Sequence, residues 1–325
     1  MVSLLDNDLA LAPNSTAKPA AISQAGRTRR KLSMHLRWQE NMLAYVFMAP
    51  SLLVFSVFLF YPLLKSVYLS LHLTDPRGRI AAYVGMENFQ ELFLSERFYQ
   101  SLKVTLSFTL LTVPTCILIA LLLAALTQTK LRGMRIFQFV FSLPIAISVG
   151  TGSVIWMMLF HPSVGILNYF LSIVGIAPIG WLTDPAWALV SVSAMTVWMT
   201  LGFNYIVLLS GLQGVPEEIY DSAKIDGSGP LRTFVQLTLP LVSPTLFFVA
   251  IVSVIGAFQS FGQIHILTKG GPMYTTDVVV YNIYQDAFIN FRFGIGSAQA
   301  LVLFAIILVL TLLQFTFFEK KVHYQ

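Results

Sequence analysis

The residues that could do chemistry in this chain are few, and they do not converge. The histidines at 35, 72, 161, 265 and 323 are scattered, and none has a second ligand at metal-binding spacing. No G-x-x-x-x-G-K-[ST], H-E-x-x-H, C-x-x-C or G-x-S-x-G run occurs. The adjacent carboxylates Glu217 and Glu218 fall in a polar connection, away from any apolar cleft that would raise a catalytic pKa. The lone Cys116 can make no intrachain disulfide and reads as a small packing residue. The expectation is a chain that is not an enzyme and binds no cofactor or metal of its own. A different pattern does repeat at helical spacing. Ser253, Gly256, Ala257 and Ser260 fall at i, i+3, i+4 and i+7, with Gln259 and Gln263 beside them at i, i+4. Such a stripe suits close helix packing. It equally leaves room for a polyhydroxy ligand, with the two amides as donors and acceptors.

That stripe lies in a long apolar run, and composition decides what kind of element carries it. Of 325 residues, 56% are hydrophobic and 11% charged, against roughly 25% charged in a soluble protein. Six stretches are long enough to cross a bilayer as helices, which takes about 20 residues each. They lie near 42–64, 101–127, 136–160, 186–212, 241–267 and 298–318. Lys103 is the one ionised group in any of them. Continuous runs of this length exclude a β-barrel, whose strands alternate over about ten residues. The expectation is an all-α membrane protein of six transmembrane helices. Residues 1–41 form a polar, largely disordered tail, 42–318 the transmembrane domain, and 319–325 a short second tail.

The basic residues set the orientation. The two tails and the connections at 130–135 and 213–240 hold 13 of the 20 Lys and Arg, and the opposite face holds seven. Positive residues stay inside, so both termini are expected in the cytoplasm of a bacterial inner membrane. No apolar stretch precedes the first span, so no cleavable leader is expected. The net charge of +5 is a topology signal, and no basic patch interleaved with aromatics points to nucleic acid. Ion-coupled carriers usually keep ionisable relays at membrane depth. These spans are nearly free of them, so the energy for any transport is expected from a partner. A secondary carrier and a non-transporting scaffold remain the alternative readings.

The most informative connection is Gly214 to Pro244. Pro216 suits a first helical position, and Glu217, Glu218 and Asp221 favour a helix N-terminus. The helix should run to about Ile225 and break at Gly227-Ser228-Gly229. Pro230 should start a second short helix leading through Leu239-Pro240 into the fifth span. Ile219, Tyr220, Ala223 and Ile225 would be available for packing. A bare surface loop needs none of this punctuation.

This loop resembles the EAA motif of ABC importer permeases, E-A-A-x-x-D-G followed about a dozen residues on by Leu-Pro. The matching residues are Asp221-Ser222-Ala223-Lys224-Ile225-Asp226-Gly227, with Leu239-Pro240 beyond. Asp221 and Ser222 replace the motif's Glu and first Ala. The likeness extends to Tyr45–Pro50 with Tyr61-Pro62, to Trp181–Pro185, and to Leu267–Pro272, which is similar to the Gly-Gly-Pro turn of carbohydrate- and polyol-uptake permeases. Asp75-Pro76, Val84-Gly85, Asn88-Phe89 and Lys321–Gln325 look most like the first permease subunit of glycerol-3-phosphate importers.

The resemblance implies a maltose-type (type I) ABC importer permease fold, a second homologous permease, and two ATP-binding subunits that hold ATP and Mg. It also implies a periplasmic or lipid-anchored solute-binding protein. Glu217, Tyr220, Asp221, Ser222, Ala223, Asp226 and Gly227 would contact the ATPase. The family's sugar contacts map onto Leu201, Gly202 and Tyr205, then Ser253, Gly256, Ala257 and Ser260, to which the stripe adds Gln259 and Gln263. Two asparagines and an aromatic of that pattern are here Ala257, Ser260 and Gly256, which argues against maltose. Substrates compatible with the resemblance are a sugar, a glycosylated polyol such as glucosylglycerol, or sn-glycerol-3-phosphate. Tyr281, Tyr284, Ala287, Phe288 and Phe291 fall at helical spacing, as an interfacial helix or a docking face for the binding protein.

Overall fold

The computed structural model describes residues 42, 43, 45–129 and 131–318; the expectations for the two tails lie outside them. Five described helices are long and apolar enough to cross a membrane: Tyr45–Ser70, Glu96–Thr127, Pro185–Gln213, Ser243–Leu267 and Phe293–Thr316. Met134–Ala146 and Val149–Leu159 meet at a 104° bend and count as a sixth span if the bent pair crosses as one. The six expected runs are mostly helical, but the third is not the single rod that its hydropathy suggested. A two-stranded hairpin, His72–Thr74 with Ile80–Tyr83, is the β structure among the described residues. The chain divides into two compact units, Met1–Leu64 and Lys65–Gln325. The first contains the opening turns of the first span, and the cavity and the 213–240 connection lie in the second.

Local chemistry explains where the helices start. The second span begins at Ser95, whose hydroxyl accepts the Phe98 amide at 3.3 Å, with Glu96 in the first turn. The fourth begins at Asp184, whose carboxylate accepts the Ala186 amide at 2.9 Å, with Pro185 at the first helical position. Inside the spans, Thr105, Thr109, Thr112, Thr196 and Thr200 each return their hydroxyl proton to a carbonyl four residues back. Hydrocarbon offers no other partner, so this back-bonding lets a hydroxyl sit at depth.

The bend of the third span has a sequence cause. Leu143–Ala146 tightens into a 3-10 turn with Pro144 inside it, Ile147 and Ser148 are extended, and Ser148 then caps a new helix by accepting the Thr151 amide. The fourth span can lie against this bend because residue 202 is glycine. A Cβ there would stand 2.8 Å from the Ile145 nitrogen and 2.9 Å from the Ser142 carbonyl oxygen. Two further close approaches set the packing, Gly211 against Thr245 and Gly152 against Met199. Among the described residues the core forms three clusters. One is centred on Phe108, Val192, Met195 and Ile264, a second on Ala120, Tyr205, Leu208 and Val249, and a third on Leu92, Phe98 and Ala298.

Candidate functional site: a cavity among four spans

A cavity of about 540 Å³ opens where the second, third, fourth and fifth spans meet. Thr112 and Cys116 come from the second span, Pro144 to Val149 from the bend of the third, Thr196, Thr200 and Asn204 from the fourth. The fifth span contributes Ser253, Gly256, Ala257, Gln259, Ser260 and Gln263, so six of the nine ligand candidates line one space. Gly256 faces it directly, since a Cβ there would meet nothing within 4 Å.

The geometry corrects the single-face picture of the fifth span. Its first helix stops at Phe258 and a second runs Gly262–Leu267, so Ser260 lies in a break between them. Its hydroxyl donates to the Gly256 carbonyl at 3.1 Å, which holds it at the cavity wall. Gln259 caps the first helix with its side chain exposed. Gln263 is buried, and its amide donates to the Thr196 hydroxyl at 3.3 Å. Leu201, Gly202 and Tyr205 do not line the cavity. Leu201 packs beside the second core cluster, Gly202 seats the bend, and Tyr205 is fully buried. The Tyr205 hydroxyl shares a 2.6 Å hydrogen bond with Thr127.

Other residues at the wall escaped the sequence reading. The Asn204 amide donates to the Cys116 sulfur at 3.1 Å and to the Ser253 hydroxyl at 3.2 Å, and Thr200 lies 3.3 Å from the same sulfur. Cys116 is thus more than a packing residue: it joins a polar node of three spans. A signal was present, since Thr112 and Cys116 stand at i, i+4, and Thr196, Thr200 and Asn204 at i, i+4, i+8.

At one end of the bundle the 213–240 connection folds as its punctuation suggested. A helix runs Glu217–Ile225, Gly227 takes φ +68°, and a short helix restarts at Pro230. The Ser228 amide donates to the Ala223 carbonyl at 2.9 Å and the Gly227 amide to the Lys224 carbonyl at 3.1 Å, which is a Schellman closure. Glu217, Asp221, Ser222, Asp226 and Gly227 are exposed, whereas Tyr220 is half-buried and Ala223 buried. Ile219 and Tyr220 pack on the bundle. Ile225 and Leu231, by contrast, are 86% and 77% exposed on either side of the turn.

At the other end, the segment after the fifth span is tied to the second. Arg97 contacts the buried Asp277 at 3.0 Å, donates to Gln285, and lies 5.1 Å from the Tyr274 ring. Burial pushes the Asp277 carboxyl above its ordinary range, against the opposing pull of Arg97. Tyr281 and Ala287 turn inward and are buried, while Phe288 and Phe291 are exposed. The aromatic run is therefore not one outward face; Tyr281 stacks inside on Phe261 and lies tilted against His265.

Residues 78–324 match the family described as binding-protein-dependent transport system inner membrane component. The chain belongs to that family. Both the cavity and the 213–240 connection fall within the matched residues. This permease is 34% identical over 291 residues to the sn-glycerol-3-phosphate transport system permease protein UgpA of Pectobacterium atrosepticum, covering 89% of this chain and 98% of that one. It is 35% identical over 288 residues to the protein of the same name from Agrobacterium fabrum, covering 88% and 97%. Its fold matches a chain in the crystal structure of a bacterial ABC transporter involved in the import of the acidic polysaccharide alginate. The TM-score is 0.77 at 25% identity, over 89% of this chain and 99% of that one. A second alginate transporter structure, in complex with an alginate pentasaccharide-bound periplasmic protein, matches at TM-score 0.76 and 24% identity over 85% and 93%. The permease is thus an inner-membrane component of an ABC importer with the type I fold.

Proposed function

We propose that this chain is one of two homologous permease subunits of an ATP-driven importer for a sugar, a glycosylated polyol or sn-glycerol-3-phosphate. Two ATP-binding subunits holding ATP and Mg dock on the 213–240 connection in the cytoplasm, where both termini also lie. A solute-binding protein delivers substrate at the opposite, periplasmic end, near the exposed Met273 and Phe288. This chain itself hydrolyses nothing and binds no cofactor. Closure of the ATPases displaces the helix Glu217–Ile225, and the span bundles tilt so that the cavity changes the side to which it opens. In this reading the cavity-lining residues of the fifth span, Ser253, Gly256, Ala257, Gln259, Ser260 and Gln263, contact the solute. Leu201, Gly202 and Tyr205 shape the wall from behind.

The observation that carries the reading is the pair Ile225 and Leu231. Two large apolar side chains stand in water on a polar surface helix-turn that a Schellman closure holds rigid. An exposed apolar pair on a rigid turn is built to be covered by a partner. The test is Ile225→Asp in the complete transporter, following ATPase co-purification and solute uptake together. Loss of both is expected. Unchanged co-purification with wild-type uptake would remove the coupling role from this exposed pair.

A further inference from the structure

We propose that this chain's wall of the cavity reads hydroxyl donors on the solute, and that the solute it passes is a neutral polyhydroxy compound, a sugar or glycosylated polyol, and not a phosphate dianion. The proposal rests on the reading of the cavity as the transport site and narrows its substrate class. The first argument is charge. None of the 22 described residues that line the cavity is Asp, Glu, Lys, Arg or His. A dianion moved from water into an apolar cavity needs cationic or fixed donor partners, and phosphate sites supply them with Arg or Lys.

The second argument concerns where the wall's protons already point. The hydroxyls of Thr112, Thr196, Thr200 and Ser260 donate to backbone carbonyls of Phe108, Val192, Thr196 and Gly256. The Asn204 amide is spent on Cys116 and Ser253, and that of Gln263 on Thr196. What these groups turn to a ligand is mainly lone pairs, with the Gln259 amide and the second amide proton of Gln263 as the remaining donors. A wall in which acceptors outnumber donors suits a partner that brings its own O–H donors, as sugars and polyols do, while a phosphate dianion brings acceptors only. The remaining wall is apolar, with Phe203 and Phe261 among its lining. That matches the C–H faces of a sugar ring and offers nothing to a phosphate group.

The test uses the complete transporter in whole cells with three labelled probes: trehalose, a glycosylated glycerol and sn-glycerol-3-phosphate. Uptake of at least one neutral probe should depend on this chain, and excess glycerol phosphate should not compete. The charge at Gln259, exposed at the cavity, is then varied. Gln259→Glu, which keeps acceptor oxygens, should lower uptake of the neutral probe less than Gln259→Lys, which has donors only. Chain-dependent glycerol phosphate uptake, with Gln259→Lys exceeding Gln259→Glu by more than about tenfold, would overturn the proposal while leaving the importer reading intact. Chain-dependent uptake of neither neutral probe would overturn the proposal and leave the importer reading standing.

Discussion

The Asn204 amide nitrogen lies 3.2 Å from the Ser253 hydroxyl oxygen, joining the fourth and fifth spans at the cavity wall across 49 residues of sequence. Interhelical hydrogen bonds inside a membrane average about 0.6 kcal/mol by double-mutant cycles. Asn204→Ala and Ser253→Ala in the purified complex should therefore couple by roughly that amount in thermal unfolding. Asn204→Ala should be the more damaging single change, since it also strips the Cys116 sulfur of a donor. Strictly additive effects would mean that the two side chains do not act on each other.

Gly256 and Gly211 differ in what surrounds them, and substitution should separate filling the cavity from forcing the helices apart. A Cβ at Gly256 meets open space, whereas one at Gly211 would lie 2.7 Å from the Thr245 hydroxyl and 2.9 Å from its Cβ. Gly256→Leu is expected to keep assembly yield and cut uptake. Gly211→Leu is expected to lower yield first, since overpacking costs about 1–3 kcal/mol. Yield and uptake measured on the same preparations decide it. Normal uptake by Gly256→Leu would remove that residue from the solute path.

Gly227 sits at φ +68° with open space around its α-carbon, so the penalty for replacing it is conformational and not steric. Gly227→Ala should destabilise the turn by about 1–2 kcal/mol. Gly227→Pro also removes the amide that reaches the Lys224 carbonyl at 3.1 Å. Uptake should fall progressively along the series from Gly to Ala to Pro, with the spans still inserted. ATPase co-purification that stays constant across all three would show that the closure does not present the docking surface.

Asp277 should give the complex a pH signature. Burial raises its carboxyl above the ordinary 3.8, Arg97 opposes the shift, and Asp286 adds to it. For an acid whose folded pKa is raised, the stabilising contribution is complete below the unfolded value. It is lost as pH rises through the folded value. The stability of the wild type relative to Asp277→Asn should therefore decline as pH increases from about 3.8 upward. Melting temperatures of both complexes between acid and neutral pH check this. A difference that grows with pH would mean that Arg97 dominates the site.

Topology offers the last check. A reporter inserted at the exposed Met273 should read as periplasmic, and reporters near Thr28 and after Gln325 as cytoplasmic. A periplasmic signal from the C-terminal fusion would overturn the orientation.

The sequence by itself determined that six apolar runs become helices, because lipid leaves the backbone no other partner and hydropathy registers that solvent directly. It also determined the 217–230 turn, since Pro216, Gly227 and Pro230 act through their own dihedral limits and need no distant neighbour. Tertiary structure decided what local composition cannot encode. The third span reads as one apolar run, yet it bends by 104° and seats its bend on Gly202. Ser260 continues the helical spacing of the fifth-span stripe, yet it lies in a break and reaches the wall through the Gly256 carbonyl. Tyr205, although polar and at ligand spacing, is buried against Thr127. Cys116, Asn204 and Ser253 become one polar node only when three spans pack with those faces together. Helical periodicity states which residues share a face; which faces meet is set by small residues such as Gly202 and Gly211, where side-chain volume lets backbones approach.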